Sequence, residues 1–193
     1  MASKPIPGEV QLGDSYLVAA RKQGALLAVI DGIGHGPEAA AAAERAVSIL
    51  KTAADEDIPS LLHRCDLALK HTRGAVASLA TIDFETNALD WAGIGNVDGI
   101  VLRVATSGTP AHERLALQPG VLGDNARTPR LQSTQMLAGD VLVFVTDGIV
   151  HSFADNLESL ISSPAERIAR HILEEYWRRT DDALVLVVRY KGA

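Results

Sequence analysis

The sequence contains a single cysteine, Cys65, so no intrachain disulfide bond can form. This scarcity is typical of proteins in a reducing compartment, and we predict a cytoplasmic location. Basic residues are also few, since 18 lysines and arginines stand against 24 aspartates and glutamates, for a formal net charge of −6. The acidic balance disfavours proteins that coat nucleic acids or anionic membranes, because both tasks need clustered positive charge.

Long apolar runs are missing as well. The longest, such as residues 141–145 and 183–188, fall far short of the roughly 20 residues that a membrane-spanning helix needs. The first eight residues hold no continuous apolar stretch that could form the core of a signal peptide. We therefore expect neither secretion nor membrane insertion. With 47% hydrophobic residues among 193, the chain can bury a sizeable core, and we expect one folded domain over residues 1–193.

Apolar runs of strand length recur along the chain, rich in Val, Ile and Leu and bounded by Gly, Pro, Asn or Asp. They predict eight strands, over residues 15–21, 25–30, 75–83, 88–95, 99–105, 130–136, 141–146 and 183–190. Several connections are only about three residues long, at 22–24, 85–87 and 138–140. Turns this short can join antiparallel strands but not parallel ones, so the sequence favours an antiparallel architecture.

Three helices are predicted between these strands, over residues 37–54, over residues 57–71 and from Pro164 onward, with a shorter helical piece near 153–161. Helices segregated from runs of antiparallel strands indicate an α+β fold in which helices cover one sheet or a pair of stacked sheets. Residues 106–129, rich in Gly and Pro, are expected to form a long surface excursion that contributes to substrate docking.

Aspartates lie at the ends of several predicted strands. Asp14 begins the first strand and Asp31 ends the second. Asp147 ends the strand over 141–146, and Asp181 and Asp182 introduce the last one. An aspartate before a glycine is usually only a turn former, but four aspartates at strand ends point to a shared site. We expect Asp182 to be a solvated neighbour of Asp181.

The first hairpin brings two of these carboxylates together. A turn centred between Lys22 and Gln23 pairs Asp14 directly with Asp31, and a turn centred on Gln23 would shift the partner by one residue. Two carboxylates held this close repel each other unless a cation lies between them. Oxygen ligands suit Mg²⁺ or Mn²⁺, whereas zinc usually recruits Cys or His at spacings that this chain lacks.

A glycine-rich turn, Asp-Gly-Ile-Gly-His-Gly over residues 31–36, follows the second predicted strand. Its glycines let the backbone fold closely, so that the Gly32 carbonyl can point at an ion. The free backbone N–H groups at the start of the next helix could face an anionic group of a substrate. His35 is either a structural hydrogen-bond donor or a proton donor in the reaction, and Cys65 is expected in the core.

The ordered motifs Gly13-Asp14, 31–36, Thr146-Asp147-Gly148 and 181–184 resemble those of the metal-dependent PPM (type 2C) Ser/Thr protein phosphatases, in their bacterial SpoIIE-like branch. The resemblance spans nearly the whole chain. It implies two stacked antiparallel β-sheets flanked by helices, with two Mn²⁺ or Mg²⁺ ions at one end of the sandwich. The implied reaction is hydrolysis of phosphoserine or phosphothreonine by a bridging water that the ions activate.

Residue roles follow from the same resemblance. Asp31 would bridge both ions, Asp147 and Asp181 would hold one, and Asp14 with the Gly32 carbonyl would serve the other, partly through water. Asp31 and Asp14 are thereby implicated in catalysis. The residues expected to surround the metal ligands are Gly34, His35, Asn96 and Asp182.

The chain departs from the eukaryotic members of this family at three places. Ile33 stands where those enzymes have a histidine two residues after the bridging aspartate. Asn96 occupies the position of the aspartate that binds a third metal ion in larger members, so a third ion would bind weakly or not at all. No arginine precedes Asp14 closely enough to match the arginine that grips the phosphate.

The loop type and the length of the chain are most similar to the RsbX-type feedback phosphatases of the stressosome. The implied substrates are phosphorylated STAS-domain scaffold proteins, RsbS-like and RsbR-like, and neither nucleic acid nor membrane is an expected partner. Two alternatives stay open. One is a PPM-like module that docks a phosphoprotein without hydrolysing it. The other takes residues 32–36 as the nucleotide-binding loop of a Rossmann-type enzyme, although their spacing is not Gly-x-Gly-x-x-Gly.

Overall fold

The computed structural model describes residues 1–104, 112–127 and 129–192. Within these ranges the elements are β1 (Ala2–Lys4), β2 (Asp14–Arg21), β3 (Gly24–Gly32), α1 (Pro37–Thr52), α2 (Ile58–Leu69), β4 (Ala75–Asp83), β5 (Ala88–Ile94), β6 (Asp98–Leu102), β7 (His112–Arg114), β8 (Gln132–Gln135), β9 (Val141–Val145), a 3₁₀ helix (His151–Leu160), α3 (Ala165–Tyr176) and β10 (Ala183–Arg189). Sheet A has the strand order β1-β10-β9-β6-β7, and sheet B has the order β2-β3-β4-β5-β8.

All neighbouring strands in both sheets run antiparallel. Strand β3 is buried on both faces, which explains its nearly continuous apolar sequence. Leu26, Ala28 and Ile30 pack with residues of α1 and α2, while Leu27 and Val29 pack into the core between the sheets. The alternation of the β-strand thus joins two separate cores through one strand.

The outer face of sheet A is covered by α3 and the 3₁₀ helix. Ile168 and Ile172 of α3 share a core with Val143 and Val185 of the sheet. The layers are therefore helices, sheet, sheet and helices, so the predicted α+β class is confirmed in its two-sheet form. The longest helix, α1, has 16 residues, and no described helix is long and apolar enough to cross a membrane.

The predicted elements differ from the structure mainly at sheet edges. Strands β1 and β7 were not predicted, because each has three residues and neither forms an apolar run. The helical piece predicted near 153–161 is the 3₁₀ helix His151–Leu160. Strand β6 ends at Leu102, and the predicted continuation to residue 105 leaves the described residues at its last position.

The predicted excursion over 106–129 is more closely bound to the fold than a surface loop, although residues 106–111 and 128 lie outside the described part. The Gln118 N–H donates to the Gly93 carbonyl (3.1 Å), and Leu122 exchanges hydrogen bonds with Ala75. The buried Asp66 carboxylate on α2 accepts hydrogen bonds from the N–H groups of Gly123 (2.8 Å) and Ala126 (3.0 Å). This segment, residues 117–126, is thereby held against one end of sheet B.

Cys65 lies in the core, as predicted. It is buried on α2, and its Sγ lies 3.9 Å from the Ala46 carbonyl oxygen of α1. Burial raises the pKa of its thiol to about 12, so the thiolate that a nucleophile or metal ligand requires is not formed near neutral pH.

Candidate metal centre

The β2–β3 hairpin places Asp14 directly opposite Asp31 at its open end, with Arg21 opposite Gly24 at the turn. The predicted register is therefore confirmed. Asp14 is buried, and its Oδ2 accepts a hydrogen bond from the Thr146 hydroxyl (2.8 Å). The same hydroxyl accepts from the Leu184 N–H (2.8 Å), so Thr146 ties Asp14 of sheet B to two strands of sheet A. Sequence reasoning assigned no role to Thr146, although it stands directly before Asp147.

Burial dominates the electrostatics of both carboxyls. Together with the negative charges of the neighbouring aspartates, it raises the pKa of Asp14 to about 8 and that of Asp31 to about 9, while the hydrogen bond from Thr146 lowers the pKa of Asp14. The contributing neighbours are Asp147, Asp181 and Asp182, together with Asp14 in its effect on Asp31. Without a compensating cation, Asp14 and Asp31 therefore keep their protons at neutral pH.

Asp147 follows β9 at the same end of the molecule. Burial and the charge of Asp181 raise its pKa, opposed by the charge of Arg178 and by a hydrogen bond from Asn96. That bond runs from Asn96 Nδ2 to Asp147 Oδ2 over 2.7 Å. Asn96 thus orients the carboxylate of Asp147 through its amide donor.

The Asp147 turn and the chain that leads into β10 approach each other closely. A Cβ at Gly148 would lie 1.9 Å from the Asp182 carbonyl oxygen, so only glycine fits there. The Arg178 N–H donates to the Gly148 carbonyl (2.8 Å), and the Asp182 N–H donates to Asp181 Oδ1 (2.9 Å). These contacts explain why Asp147 and Asp181 share one electrostatic environment despite their separation in sequence.

The prediction that Asp182 is solvated is wrong. Asp182 is only 3% exposed, and its carboxylate accepts hydrogen bonds from the N–H groups of Ile6 and Gly13, both at 2.7 Å. Two charge-assisted bonds to backbone amides offset the desolvation of a buried carboxylate. Asp182 therefore fixes the segment that leads into Asp14, a role that the pattern of neighbouring acids could not reveal.

The glycine turn brings β3 and α1 into contact. A Cβ at Gly32 would lie 2.1 Å from the Ala39 carbonyl oxygen, so the helix can approach only a glycine. Gly34 has φ +89°, a conformation that side chains rarely adopt. His35 is exposed, and its Nδ1 lies 2.9 Å from Glu9 Oε1. Of the two roles considered for His35, the structural hydrogen bond is the one observed.

A cavity of about 490 Å³ opens over the carboxylates. Asp31, Asp147 and Asp181 line it, whereas Asp14 is not among its lining residues. Its apolar lining includes Leu117, Pro119 and Val121. These three residues belong to the segment 106–129 that is predicted to take part in docking, so part of that segment lines the cavity.

The donor chemistry of this cavity fits hard divalent cations. Asp14, Asp31, Asp147 and Asp181 form no ion pair within 4.0 Å to any residue in the described ranges. No three acidic, histidine or cysteine side chains among the described residues converge closely enough to enclose an ion by themselves. Carboxylate oxygens supplemented by carbonyl and water oxygens are the ligands that Mg²⁺ and Mn²⁺ prefer.

Comparisons with known proteins agree with this geometry. Residues 21–191 match the family model of Stage II sporulation protein E (SpoIIE). Phosphoserine phosphatase RsbX of Bacillus subtilis (strain 168) is 28% identical over 144 residues, which cover 74% of this chain and 69% of RsbX.

Solved structures extend the likeness. A chain from a study of the bacterial stressosome as a modular system that controls secondary messenger signalling is 33% identical, with a TM-score of 0.88 over 97% of this chain and 96% of that one. The fold of RsbX in complex with magnesium superposes with a TM-score of 0.81 at 24% identity, over 96% and 91% of the two chains. The antiparallel sheets exclude the Rossmann alternative. The chain belongs to the SpoIIE family of PPM-type protein serine/threonine phosphatases.

Proposed function

We propose that this phosphatase hydrolyses phosphoserine and phosphothreonine on STAS-domain proteins of a stressosome, RsbS-like and RsbR-like, and thereby resets that assembly. The observation that carries the metal-dependent reaction is the opposed pair of Asp14, which is buried, and Asp31, which lines the cavity, with no ion pair to either from a described residue. Repulsion and desolvation make this pair unfavourable unless a cation neutralises it, so the arrangement suits a metal-dependent enzyme.

Two Mn²⁺ or Mg²⁺ ions are the proposed cofactors. Asp31 would contact both ions, Asp147 and Asp181 one of them, and Asp14 with the Gly32 carbonyl the other. When bound, such ions lower the pKa of a water between them and offset the charge of the phosphoryl oxygens. The magnesium complex of RsbX, which shares this fold, supports the choice of a divalent ion.

The surrounding residues hold these ligands in place. The Thr146 hydroxyl fixes one oxygen of Asp14, and the Asn96 amide fixes one oxygen of Asp147. Such outer hydrogen bonds orient ligands and tune their basicity. Asn96 itself donates to Asp147, which supports the prediction that a third ion at this position is weak or absent.

The substrate class is supported by the relatives. RsbX is a phosphoserine phosphatase, and the 33% identical chain belongs to work on the stressosome. The apolar wall at Leu117, Pro119 and Val121 offers a surface for the protein around the phosphorylated residue. Replacing residues 117–121 with a Gly-Ser linker should reduce turnover of the phosphoprotein more than turnover of a small phosphate ester.

The test is hydrolysis of para-nitrophenyl phosphate with Mn²⁺, with Mg²⁺ and with EDTA. Wild type should require the metal, and Asp31→Asn should be inactive. Asp55→Asn, an exposed aspartate whose Oδ1 accepts from the Lys22 N–H (2.9 Å), is the matched control and should match wild type. Phosphorylated RsbS-like and RsbR-like proteins are then assayed in the same way.

The outcomes separate the candidate functions. Metal-dependent hydrolysis of the phosphorylated STAS proteins, lost in Asp31→Asn, supports the proposal. Binding of these phosphoproteins without turnover under either metal, by a folded protein, would favour the non-catalytic docking module instead. The cytoplasmic location expected from the single cysteine stays a prediction.

A further inference from the structure

We infer that Arg73, in the turn between α2 and β4, binds the phosphate of the substrate at the rim of the cavity. The inference rests on the proposed function. Its first support is position: Arg73 Nη1 lies 2.9 Å from the point where a Cβ of Gly34 would sit, so the guanidinium covers the glycine turn. Gly34 lines the cavity beside Asp31. A planar cation therefore lies at the edge of an acidic pocket that must receive a phosphate dianion.

The turn that carries Arg73 is fixed by hydrogen bonds. The Thr72 hydroxyl donates to the Leu69 carbonyl (2.6 Å) and accepts from the Gly74 N–H (3.0 Å). The Ile33 N–H donates to the Gly74 carbonyl (3.1 Å), which couples this turn directly to the glycine turn. The backbone of Arg73 is thus pre-organised relative to the cavity, and only its side chain has to adjust to a ligand.

The present partner of Arg73 is a carboxylate that a phosphate can replace. Arg73 Nε lies 2.6 Å from Glu38 Oε2, and the two side chains are 47% and 72% exposed. Exposed pairs of this kind contribute little to stability, so the guanidinium can exchange its partner easily. Arginine binds phosphate through two parallel N–H···O bonds, whereas the one contact to Glu38 uses Nε alone.

Three other arginines of sheet A and its loops have different surroundings. Arg103 pairs with Asp140 and Glu113, and Arg114 pairs with the buried Asp98. The charge of Arg178 lowers the pKa of Asp147, which is one of the proposed metal ligands. Arg178 is therefore the rival candidate for the phosphate, and the experiment includes it.

The experiment compares Arg73→Ala with Arg64→Ala. Arg64 lies on α2 and forms a similar exposed pair with Glu56 (2.9 Å). KM and kcat are measured with para-nitrophenyl phosphate and with a phosphoserine peptide, together with the inhibition constant of inorganic phosphate. Loss of a charge-assisted bond should raise KM and the inhibition constant of Arg73→Ala roughly 10- to 100-fold on both substrates, with a small change in kcat. Arg64→Ala should match wild type.

Two further variants sharpen the result. Arg73→Lys keeps the charge but not the paired donors, so it should restore only part of the affinity. Glu38→Gln releases the guanidinium and should tighten inhibition by inorganic phosphate up to about fivefold, whereas Glu56→Gln should have no effect.

The outcomes are distinguishable from failure of the proposed function. If wild type hydrolyses neither substrate, the proposed function fails and this inference falls with it. If wild type is active and Arg73→Ala keeps the wild-type inhibition constant for phosphate, only the inference is overturned. An effect confined to the phosphoserine peptide, or one seen in Arg178→Ala instead, would likewise overturn it.

Discussion

Strand β9 is flanked by an aspartate at each end, and the two aspartates have opposite electrostatic surroundings. Asp140, just before the strand, is fully buried and lies 2.7 Å from Arg103 Nη1. Its carboxylate also accepts from the N–H groups of Val104 (2.9 Å) and Leu137 (2.9 Å). Asp147, two residues beyond the strand, has a hydrogen bond from Asn96 but no ion pair to a described residue, and its neighbours are other carboxylates.

The difference separates an acid that supports the fold from one that awaits a ligand. Around Asp140 the chain supplies its own cation and its own amide donors, which is the usual condition for burying a charge. Around Asp147 and Asp31 the chain supplies further negative charge, which is unfavourable until something positive arrives from solution. The same strand therefore ends in a structural ion pair on one side and in the proposed metal centre on the other.

The strongest test of this contrast is Asp31→Asn. We expect phosphatase activity to fall by more than the roughly 10- to 100-fold that the loss of an outer hydrogen-bond partner costs, because Asp31 is proposed to contact both ions. Asp14→Asn should reduce activity less. At pH 8 without metal, Asp31→Asn should also melt at a higher temperature than wild type, because the amide is neutral already, whereas the Asp31 carboxylate must bind a proton when the chain folds. An Asp31→Asn protein that keeps its metal-dependent turnover would contradict the assignment.

The opposite end of β9 should respond in stability rather than activity. Arg103→Ala leaves Asp140 buried without its cation, and breaking a buried pair in this way lowers the free energy of unfolding by about 3–5 kcal/mol. Urea denaturation measures this loss, with Arg64→Ala as a surface control for which about 0–1 kcal/mol is expected. The concentration of Mn²⁺ that gives half-maximal activity should not change in Arg103→Ala. A change in that concentration would mean that the two ends of β9 are not independent.

The pH dependence of stability should also distinguish the two ends. The folded-state pKa values of Asp14 and Asp31, about 8 and about 9, lie above the ordinary value of 3.8. The metal-free folded protein therefore binds more protons than the unfolded chain between these values. Its stability should be highest on this account near pH 4 and should fall as the pH rises toward 9.

Thermal melting with EDTA from pH 5 to pH 9 measures this dependence. Excess Mg²⁺ should flatten the curve, because the ion replaces the protons as the compensating charge. Asp31→Asn should flatten it in part without metal. If wild-type protein with EDTA is most stable at pH 9, the carboxylates are not buried as described.

The smallest of these effects is expected from Asn96→Ala. Its amide holds Asp147 Oδ2, and removing such an outer partner should lower activity or metal affinity by about tenfold. Asn96→Asp sharpens the test, because it adds a carboxylate beside Asp147 and should lower the metal concentration at which a further ion binds. Unchanged kinetics in both variants would remove Asn96 from the site.

The sequence sufficed to predict those parts of the site that depend on local geometry. A short turn limits strand register, so the positions of Lys22 and Gln23 predict that Asp14 pairs with Asp31 or with the residue next to it, and the structure shows the pairing with Asp31. Apolar runs bounded by turn residues likewise predicted the long strands, whereas β1 and β7 are short edge strands that depend on their neighbours for hydrogen bonds.

Long-range polar contacts could not be deduced in the same way. The sequence predicts a solvated Asp182 because its partners, the Ile6 and Gly13 amides, lie about 170 residues away in the chain. Thr146 was overlooked for the same reason, because its hydroxyl contacts Asp14 across the two sheets. Such residues are identified only when the packing of sheet on sheet is known.

The bond from Thr146 to Asp14 has a consequence for how the enzyme is assembled. Asp14 and Asp31 belong to one sheet, whereas Asp147 and Asp181 belong to the loops of the other. The site therefore forms only when the two sheets have packed against each other, and ions bound there would link the two sheets. Metal addition should slow amide hydrogen exchange in β3 and β9 together. Activity would then depend directly on the cooperative packing of the two sheets.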